Sequence, residues 1–580
     1  MLTSLFSTLF IPNDFWLSNF NKGTGLWAFF GVSNFYLVSH ADGYFSTRTP
    51  FNPYVHTWSL AVEEQFYVFF PLVFHLWLRF RAQGSRHHRI VFSILPVIAL
   101  LSLAVAAYET QFAHERAYYL LPSRFWELAS GAMLYQFHTY RSAYFDNASH
   151  WINPIGLFVL IIGFGFANEA NFPFPWALVP VLGAILLIAG AITTQNENAL
   201  VGRILSSRGM SYVGRISYSL YLWHWPVFVL FRWTIGLEAP IYWLLALVLT
   251  FTLAILSYHL IEVSLRDNRF LTKQPSWKVV IGGALVVYSA YFLVFQLFYA
   301  NHLRGLSLSV TNNDCLWRPY NVQCQHEAKV NPTNRKLFVL GDSHAGAYTL
   351  MANMAANRLG ATAYVHTFSG CPIAKLIASD KDSPICLDYE KKALEWLDQR
   401  ANPGDIVFLA SLRLQRLGDQ WRTFDLDKVL AEVDSGKQAE VNQEALAEAE
   451  AFVNQLKARD LNVLMDAPKP IFKSPPFRCS DWFNKSNPVC DGGFSIERNF
   501  LLQFREPTMT SLRTLHNKLG VYLWDPFPVL CSNNICTAFD GNKPKFMDGD
   551  HLSGYGDRLL VDSFSERLSS IWGQGKQTNQ

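Results

Sequence analysis

The sequence predicts two fold classes in one chain: an N-terminal all-α polytopic membrane bundle, then a C-terminal α/β domain with a mainly parallel sheet. Three observations predict it. Residues 1–300 are one apolar run after another, whereas 301–580 have the composition of an ordinary globular sequence. All eight cysteines lie after the last apolar run. In the second half, short apolar strands alternate with helical patterns, which points to a parallel sheet covered by helices.

In the membrane half, apolar runs near 24–38, 55–79, 88–108, 117–139, 154–168, 176–193, 210–232, 239–265 and 277–299 give nine candidate helices. A span needs about 20 apolar residues, so the first and fifth are short. Aromatic content of 15%, with 18 Trp, suits interfacial belts. A net charge of +3, without a basic run interleaved with aromatics, gives nucleic-acid binding no support.

The cysteines are Cys315, Cys324, Cys371, Cys386, Cys479, Cys490, Cys531 and Cys536. Their spacings of 9, 15, 11 and 5 contain no CxxC pair, which argues against zinc, and no metal site is expected. An even number in one soluble domain reads as disulfides formed in an oxidising compartment. Spacing does not fix connectivity; pairing neighbours in order is the simplest scheme. If this domain is outside, alternation puts Arg79, Arg81, Arg86, Arg89, Arg141, Arg203, Arg208, Arg266, Arg269, Lys273 and Lys278 in inside loops. The outside loops 168–175 and 234–239 carry no Lys or Arg and 39–54 has only Arg48, so the positive-inside rule gives the same topology.

Met1–Pro12 is apolar but about 18 Å long as a helix, too short to span. It has neither a basic n-region nor a cleavage site. A chain that begins outside, half-way through a helix, is expected to be truncated or to have its start misassigned.

Ionisable groups inside apolar helices are costly and face a bundle interior. Glu63 and Glu64 sit in TWSLAVEEQFY, Arg124 and Glu127 in RFWEL, His224 in YSLYLWHWP, and Glu262 near an inner helix end. Glu63, Arg124 and His224 each fall roughly 10–12 Å in from an outer helix end. One reading is a polar pocket for an acyl donor or acceptor. The other is a buried Glu–Arg pair that fastens helices together, and charge alone leaves both open.

In the soluble half, 301–335 reads as a polar linker and 336–580 as the α/β domain. Strand patterns fall at Lys336–Leu340, Asp405–Leu409, Asn462–Met465 and Val521–Trp524, and helical patterns at 388–399, 439–458 and 497–518. The Ala/Glu-rich 431–451 stretch reads as a solvated helix face. Gly341-Asp342-Ser343-His344-Ala345 follows the first strand, so Ser343 stands at the carboxyl edge of the sheet, where such folds bind ligands. A serine needs an adjacent base. About 200 residues later, Asp548 precedes His551 by three in FMDGDHLS, a spacing that lets the carboxylate curl back onto the imidazole. Strand, GDSHA turn, helix and late Asp-x-x-His together point to a Ser343–His551–Asp548 triad.

These residues resemble the SGNH-hydrolase family: its first block is similar to 341–345 and its last to Asp548-x-x-His551. HTWSLAVEEQFYVFFPL (56–72), RFWELASGAML (124–134) and ISYSLYLWHWPVF (216–228) resemble acyltransferase family three, the bacterial integral-membrane acyltransferases. The fused arrangement looks like the O-acetyltransferases of lipopolysaccharide O-antigen and related glycans. The resemblance implies an inner-membrane, multi-pass protein with a periplasmic C-terminal domain. It implies acyl-CoA, usually acetyl-CoA, as donor substrate with no bound cofactor, and a lipid-linked or surface glycan acceptor among membrane lipids. Ser343 would be nucleophile, His551 base and Asp548 its orienter. The backbone N–H groups of Ser343 and of Gly370, in FSGCPI, would form the oxyanion hole. Glu64, Arg124, Glu127 and His224 match membrane motifs without assigned roles.

Two departures stand against the pattern. The Asn donor of the third SGNH block is replaced by Ala410-Ser411-Leu412-Arg413. The family's first two helices, with an Arg, a His and a basic motif, are expected to be missing, because the resemblance places Met1 near its third helix. Two other readings therefore stand beside acyl transfer: a carbohydrate O-acetylesterase with a membrane anchor, and an inactive truncated form acting as a scaffold.

Overall fold

Long apolar segments with few charges form helices because only a helix satisfies its own backbone away from water. The computed structural model describes residues 1–11, 16–40, 49–80, 86–140, 151–168, 171–192, 200–299, 306, 315–318, 321–324, 333–378, 383–418, 424–433 and 436–574. The loop residues Arg81 and Arg141 and most of the 301–335 linker lie outside these. The chain divides into two compact units, Met1–Arg232 with Leu237–Arg304, and Trp233–Gly236 with Gly305–Gln580.

The first unit is helical. Its longer helices are Thr57–Phe80, Arg86–Phe112, Leu121–Tyr140, Ser217–Trp233, Pro240–Ser257 and Ser276–Tyr299. Phe66, Leu95, Ala99, Phe125, Trp126 and Ala129 knit the first three of these into a buried cluster. Two shorter apolar helices, Ile152–Gly165 and Leu178–Ile192, pack on each other. Among the described residues three segments are long and apolar enough to cross a membrane: Phe92–Phe112, Pro240–Thr272 and Ser276–Tyr299. Other expected spans fall short in length, or carry charge, as Thr57–Phe80 does with Glu63 and Glu64.

One expectation is corrected. The 24–38 run is not a single helix but the end of Trp16–Ala28 and the start of Ser33–His40. Gly31 breaks it with φ of +63°, a backbone conformation that glycine adopts at no steric cost. The N-terminal run does form a helix, Leu2–Phe10.

The second unit holds a five-stranded parallel sheet. Its strands are β1 (Lys336–Gly341), β2 (Thr362–Thr367), β3 (Ile406–Ala410), β4 (Asn462–Asp466) and β5 (Tyr522–Trp524), in the order β2-β1-β3-β4-β5. This is a doubly wound order, with the reversal between β1 and β3 where ligands bind. Alternate strand residues supply two cores. Leu337, Val339, Ile406 and Phe408 face helices Thr349–Arg358 and Gly554–Gln574. Phe338, Leu340, Val407 and Leu409 face helices Pro384–Asp398, Gly436–Lys457 and Arg498–Leu519. Burial on both faces explains why β1 and β3 read as continuous apolar runs.

Among the described residues three disulfides, Cys371–Cys386, Cys479–Cys490 and Cys531–Cys536, join neighbours in order. Cys315 and Cys324 stand opposite each other in a two-stranded ladder within the expected linker; their side chains lie outside the described residues.

Candidate active site

β1 delivers the nucleophile turn. Gly341 ends the strand at φ of +144°, and a Cβ there would stand 1.9 Å from the Ala410 carbonyl oxygen of β3. Only glycine fits that close approach. Asp342 then caps the short helix Ser343–Ala347, its Oδ1 accepting the His344 backbone N–H at 2.9 Å.

The loop before the last helix supplies the base. Ser343 Oγ lies 2.8 Å from His551 Nε2, and His551 Nδ1 lies 2.8 Å from Asp548 Oδ2. Asp548 Oδ1 accepts the backbone N–H groups of Asp550 at 3.0 Å and His551 at 2.6 Å, which locks the carboxylate under the ring. The chain therefore brings together the three residues that the sequence had singled out.

The structure adds further polar groups around this relay. Asp550 Oδ1 is 2.9 Å from the same His551 Nδ1, and its Oδ2 is 2.8 Å from Arg416 Nε. The His344 ring stacks on His551 with centroids 3.9 Å apart and planes 12° from parallel. Lys469 Nζ lies 3.2 Å from His344 Nδ1. Arg416 Nη2 lies 3.4 Å from His344 Nε2, so both ring nitrogens of His344 face the donors of basic side chains. His344 Nε2 is 3.7 Å from Asp550 Oδ1.

Electrostatics follow from burial and these neighbours. Burial alone would lower His551, but the charges of Asp548 and Asp550 outweigh it and push the imidazole up to about 10. Burial would raise Asp548, yet the adjacent His551 and two backbone N–H groups hold it well below the usual carboxylate range. Burial and the Asp548 charge raise Asp550. Burial, with His551, Lys469 and Arg416 around it, keeps His344 neutral. His344, Asp550 and His551 each aim a ligand atom into one small volume. Lys469 and Arg416 bring positive charge to the same spot, so the donor set suits a cation poorly.

Gly370 lies exposed in the Phe368–Cys371 turn after β2, with φ of +85°. Phe368 N–H donates to the Gly341 carbonyl at 3.0 Å, joining this turn to the nucleophile turn, and the Cys371–Cys386 bond fixes its far side. The polar side chains at the third-block position are engaged within the fold. Ser411 Oγ donates to the Ile373 carbonyl at 3.2 Å. Arg413 is fully buried and braces the carboxyl ends of β3 and β4: it donates to the carbonyls of Ala374, Leu409 and Asp466 and pairs with the Asp466 carboxylate.

In the helical unit the polar groups divide. Arg124 pairs with Glu127 of its own helix at 2.5 Å and donates to the Tyr118 carbonyl at 3.1 Å. Its guanidinium lies 4.9–5.2 Å from the rings of Trp58, Tyr118 and Phe172, and among the described residues it does not reach Glu63. His224 Nδ1 meets the Tyr221 carbonyl at 2.6 Å, and its ring lies 5.7 Å from that of the buried His56. Glu64 packs against Gly31, and Glu262 accepts from Ser219 Oγ at 3.3 Å. Neither Glu63 nor Glu64 joins the Arg124–Glu127 pair.

Sequence reasoning passed over Asp550, His344, Arg416 and Lys469. Two of them stood inside the quoted motifs, GDSHA and DGDH, where an extra ionisable residue beside a triad member was the available signal. Arg416 and Lys469 follow β3 and β4 with no such cue.

Comparison with known proteins gives two family matches: an acyltransferase domain over residues 3–259, and an SGNH domain of the kind fused to such domains over residues 311–566. The candidate membrane-bound transacylase BcsY of Komagataeibacter xylinus is 31% identical over 48% of this chain and 68% of its own length. The peptidoglycan O-acetyltransferase OatA of Listeria monocytogenes is 28% identical over 44% of this chain and 42% of its own. The candidate peptidoglycan O-acetyltransferase YrhL of Bacillus subtilis is 27% identical over 49% and 47%. The chain thus spans about half the length of the latter two. The periplasmic domain of a Salmonella ser. Paratyphi A lipopolysaccharide acetyltransferase covers 41% of this chain and 85% of its own, at 14% identity and a TM-score of 0.28, too slight to carry an argument.

Proposed function

Because the chain belongs to the family of membrane acyltransferases fused to SGNH domains, we propose that it is an O-acyltransferase that esterifies hydroxyls of a cell-surface glycan. The observation that carries this reading is the Ser343–His551–Asp548 relay, with both links at 2.8 Å, at the carboxyl edge of the sheet.

In this reading Ser343 Oγ attacks the carbonyl carbon of an acyl group, acetyl above all, while His551 Nε2 takes the hydroxyl proton. Asp548 stabilises the resulting imidazolium. The N–H groups of Ser343 and Gly370 receive the developing oxyanion. Loss of the leaving group, protonated by His551, gives the acyl-serine. A sugar hydroxyl then attacks, His551 takes its proton, and Ser343 departs with that proton as the ester forms. The acyl group comes from cytoplasmic acyl-CoA through the membrane half, in which Glu63, Glu64, Arg124, Glu127 and His224 are the polar groups available to handle it. The acceptor is lipopolysaccharide O-antigen or a similar glycan, met by an SGNH domain on the periplasmic side of the bacterial inner membrane.

Vesicles containing the full chain, loaded with isotopically labelled acetyl-CoA and supplied with surface glycan, test this. Label is expected in glycan esters and to vanish in Ser343→Ala. Release of acetate from acetylated glycan without acyl-CoA, with no transfer, would instead identify a hydrolase.

A further inference from the structure

The triad leaves one buried carboxylate of its own loop unused. Asp550 is 1% exposed, yet it approaches His551 Nδ1 at 2.9 Å, almost as near as Asp548 does. We propose that Asp550, clamped by Arg416, is a positioning residue that holds the His551 ring on Ser343 and balances the charge His551 acquires. This rests on Ser343 and His551 acting as nucleophile and base.

Geometry and charge both support it. A single bond from Asp548 leaves the ring free to tip about Nδ1. Asp550 Oδ1, in ion-pair contact with the same nitrogen at 2.9 Å, and His344, stacked on one ring face at 3.9 Å, narrow that freedom. Two carboxylates beside a neutral imidazole would leave a buried excess of negative charge, which is costly. Arg416 Nε, 2.8 Å from Asp550 Oδ2, supplies one compensating charge. The imidazolium form of His551 supplies the second: Asp548, Asp550, Arg416 and protonated His551 then sum to zero. The groups that face His551 are Asp548 and Asp550 from its own loop, Ser343 and His344 from the turn after β1, Arg416 from the segment after β3, and Lys469 after β4, through His344.

The test is the pH dependence of Ser343 labelling by a fluorophosphonate on the full chain in detergent. In that reaction Ser343 Oγ bonds to phosphorus, fluoride leaves, and the serine proton passes to His551. Removing a carboxylate makes His551 easier to deprotonate, so Asp550→Asn should move the acidic limb down by about one pH unit and lower the plateau several-fold. Arg416→Gln leaves Asp550 uncompensated and should move the limb up by a similar amount. Arg416→Lys, which keeps the charge, should restore it. Arg416 is partly exposed, so its variants decide the matter even if Asp550→Asn does not fold. Lower plateaus with unmoved midpoints in the Arg416→Gln variant would overturn the proposal. Equal labelling of Ser343→Ala and wild type would overturn instead the reading of Ser343 as nucleophile.

Discussion

Replacing Arg413 by glutamine removes a guanidinium whose side chain has 0% exposure and whose partner, Asp466, has 2%. The same guanidinium donates to the carbonyls of Ala374 at 3.0 Å, Leu409 at 3.0 Å and Asp466 at 2.9 Å. Glutamine is too short to reach all of these and carries no charge. Breaking a buried pair from one side costs about 3–5 kcal/mol, because the remaining charge stays buried and uncompensated. In a domain of this size each kcal/mol lowers Tm by about 2–4 °C, so Arg413→Gln should melt roughly 6–20 °C below wild type. Scanning fluorimetry of the full chain in detergent measures this. Arg413→Met combined with Asp466→Leu removes both charges and should recover the part of the loss that comes from the unpaired carboxylate. Unchanged melting of Arg413→Gln together with lost Ser343 labelling would refute the reasoning, because Arg413 would then serve the reaction rather than brace the sheet.

Other expectations follow from the same geometry. Gly341→Ala forces a Cβ to within 1.9 Å of the Ala410 oxygen at a φ of +144°; backbone strain of this kind costs about 1–3 kcal/mol, readable as a lower Tm and lost Ser343 labelling. Removing Cys371–Cys386, which closes a loop of separation 15, should destabilise the domain by about 3 kcal/mol; identical melting with and without reductant would count against it. With His551 held up at about 10, it is protonated at neutral pH, and the base form grows only as pH rises. Labelling of wild type should therefore keep climbing into the alkaline range, and a midpoint near the free-histidine value of about 6.5 would contradict the hold of the two aspartates.

The legible parts were those in which local pattern and tertiary environment agree. β1, β3 and β4 are buried on both faces and therefore read as apolar runs. β2 is an edge strand whose residues Thr362–Thr367 are all half-buried, so TAYVHT carries no such run. The helix Gly554–Gln574 has its cue in Leu560, Phe564, Leu568 and Ile571, spaced for one helix face, although a reading that ended at His551 missed it. Ser343, Asp548 and His551 were legible because two short motifs carry them. Asp550 was hidden in the same motif, and its meaning depends on Arg416, a residue more than a hundred positions away. In the helical unit, sequence depth put Glu63, Arg124 and His224 at a similar level and left open whether they line a pocket or form a fastening Glu–Arg pair. Depth does not give rotation about the helix axis, which turns Arg124 to Glu127 of its own helix.

Mass spectrometry of surface glycans, from cells whose only source of this activity is the full chain or its Ser343→Ala variant, tests acyl transfer itself. O-acetyl esters are expected with the wild-type chain and none with Ser343→Ala at equal expression. Equal ester content in the two would contradict acyl transfer through Ser343.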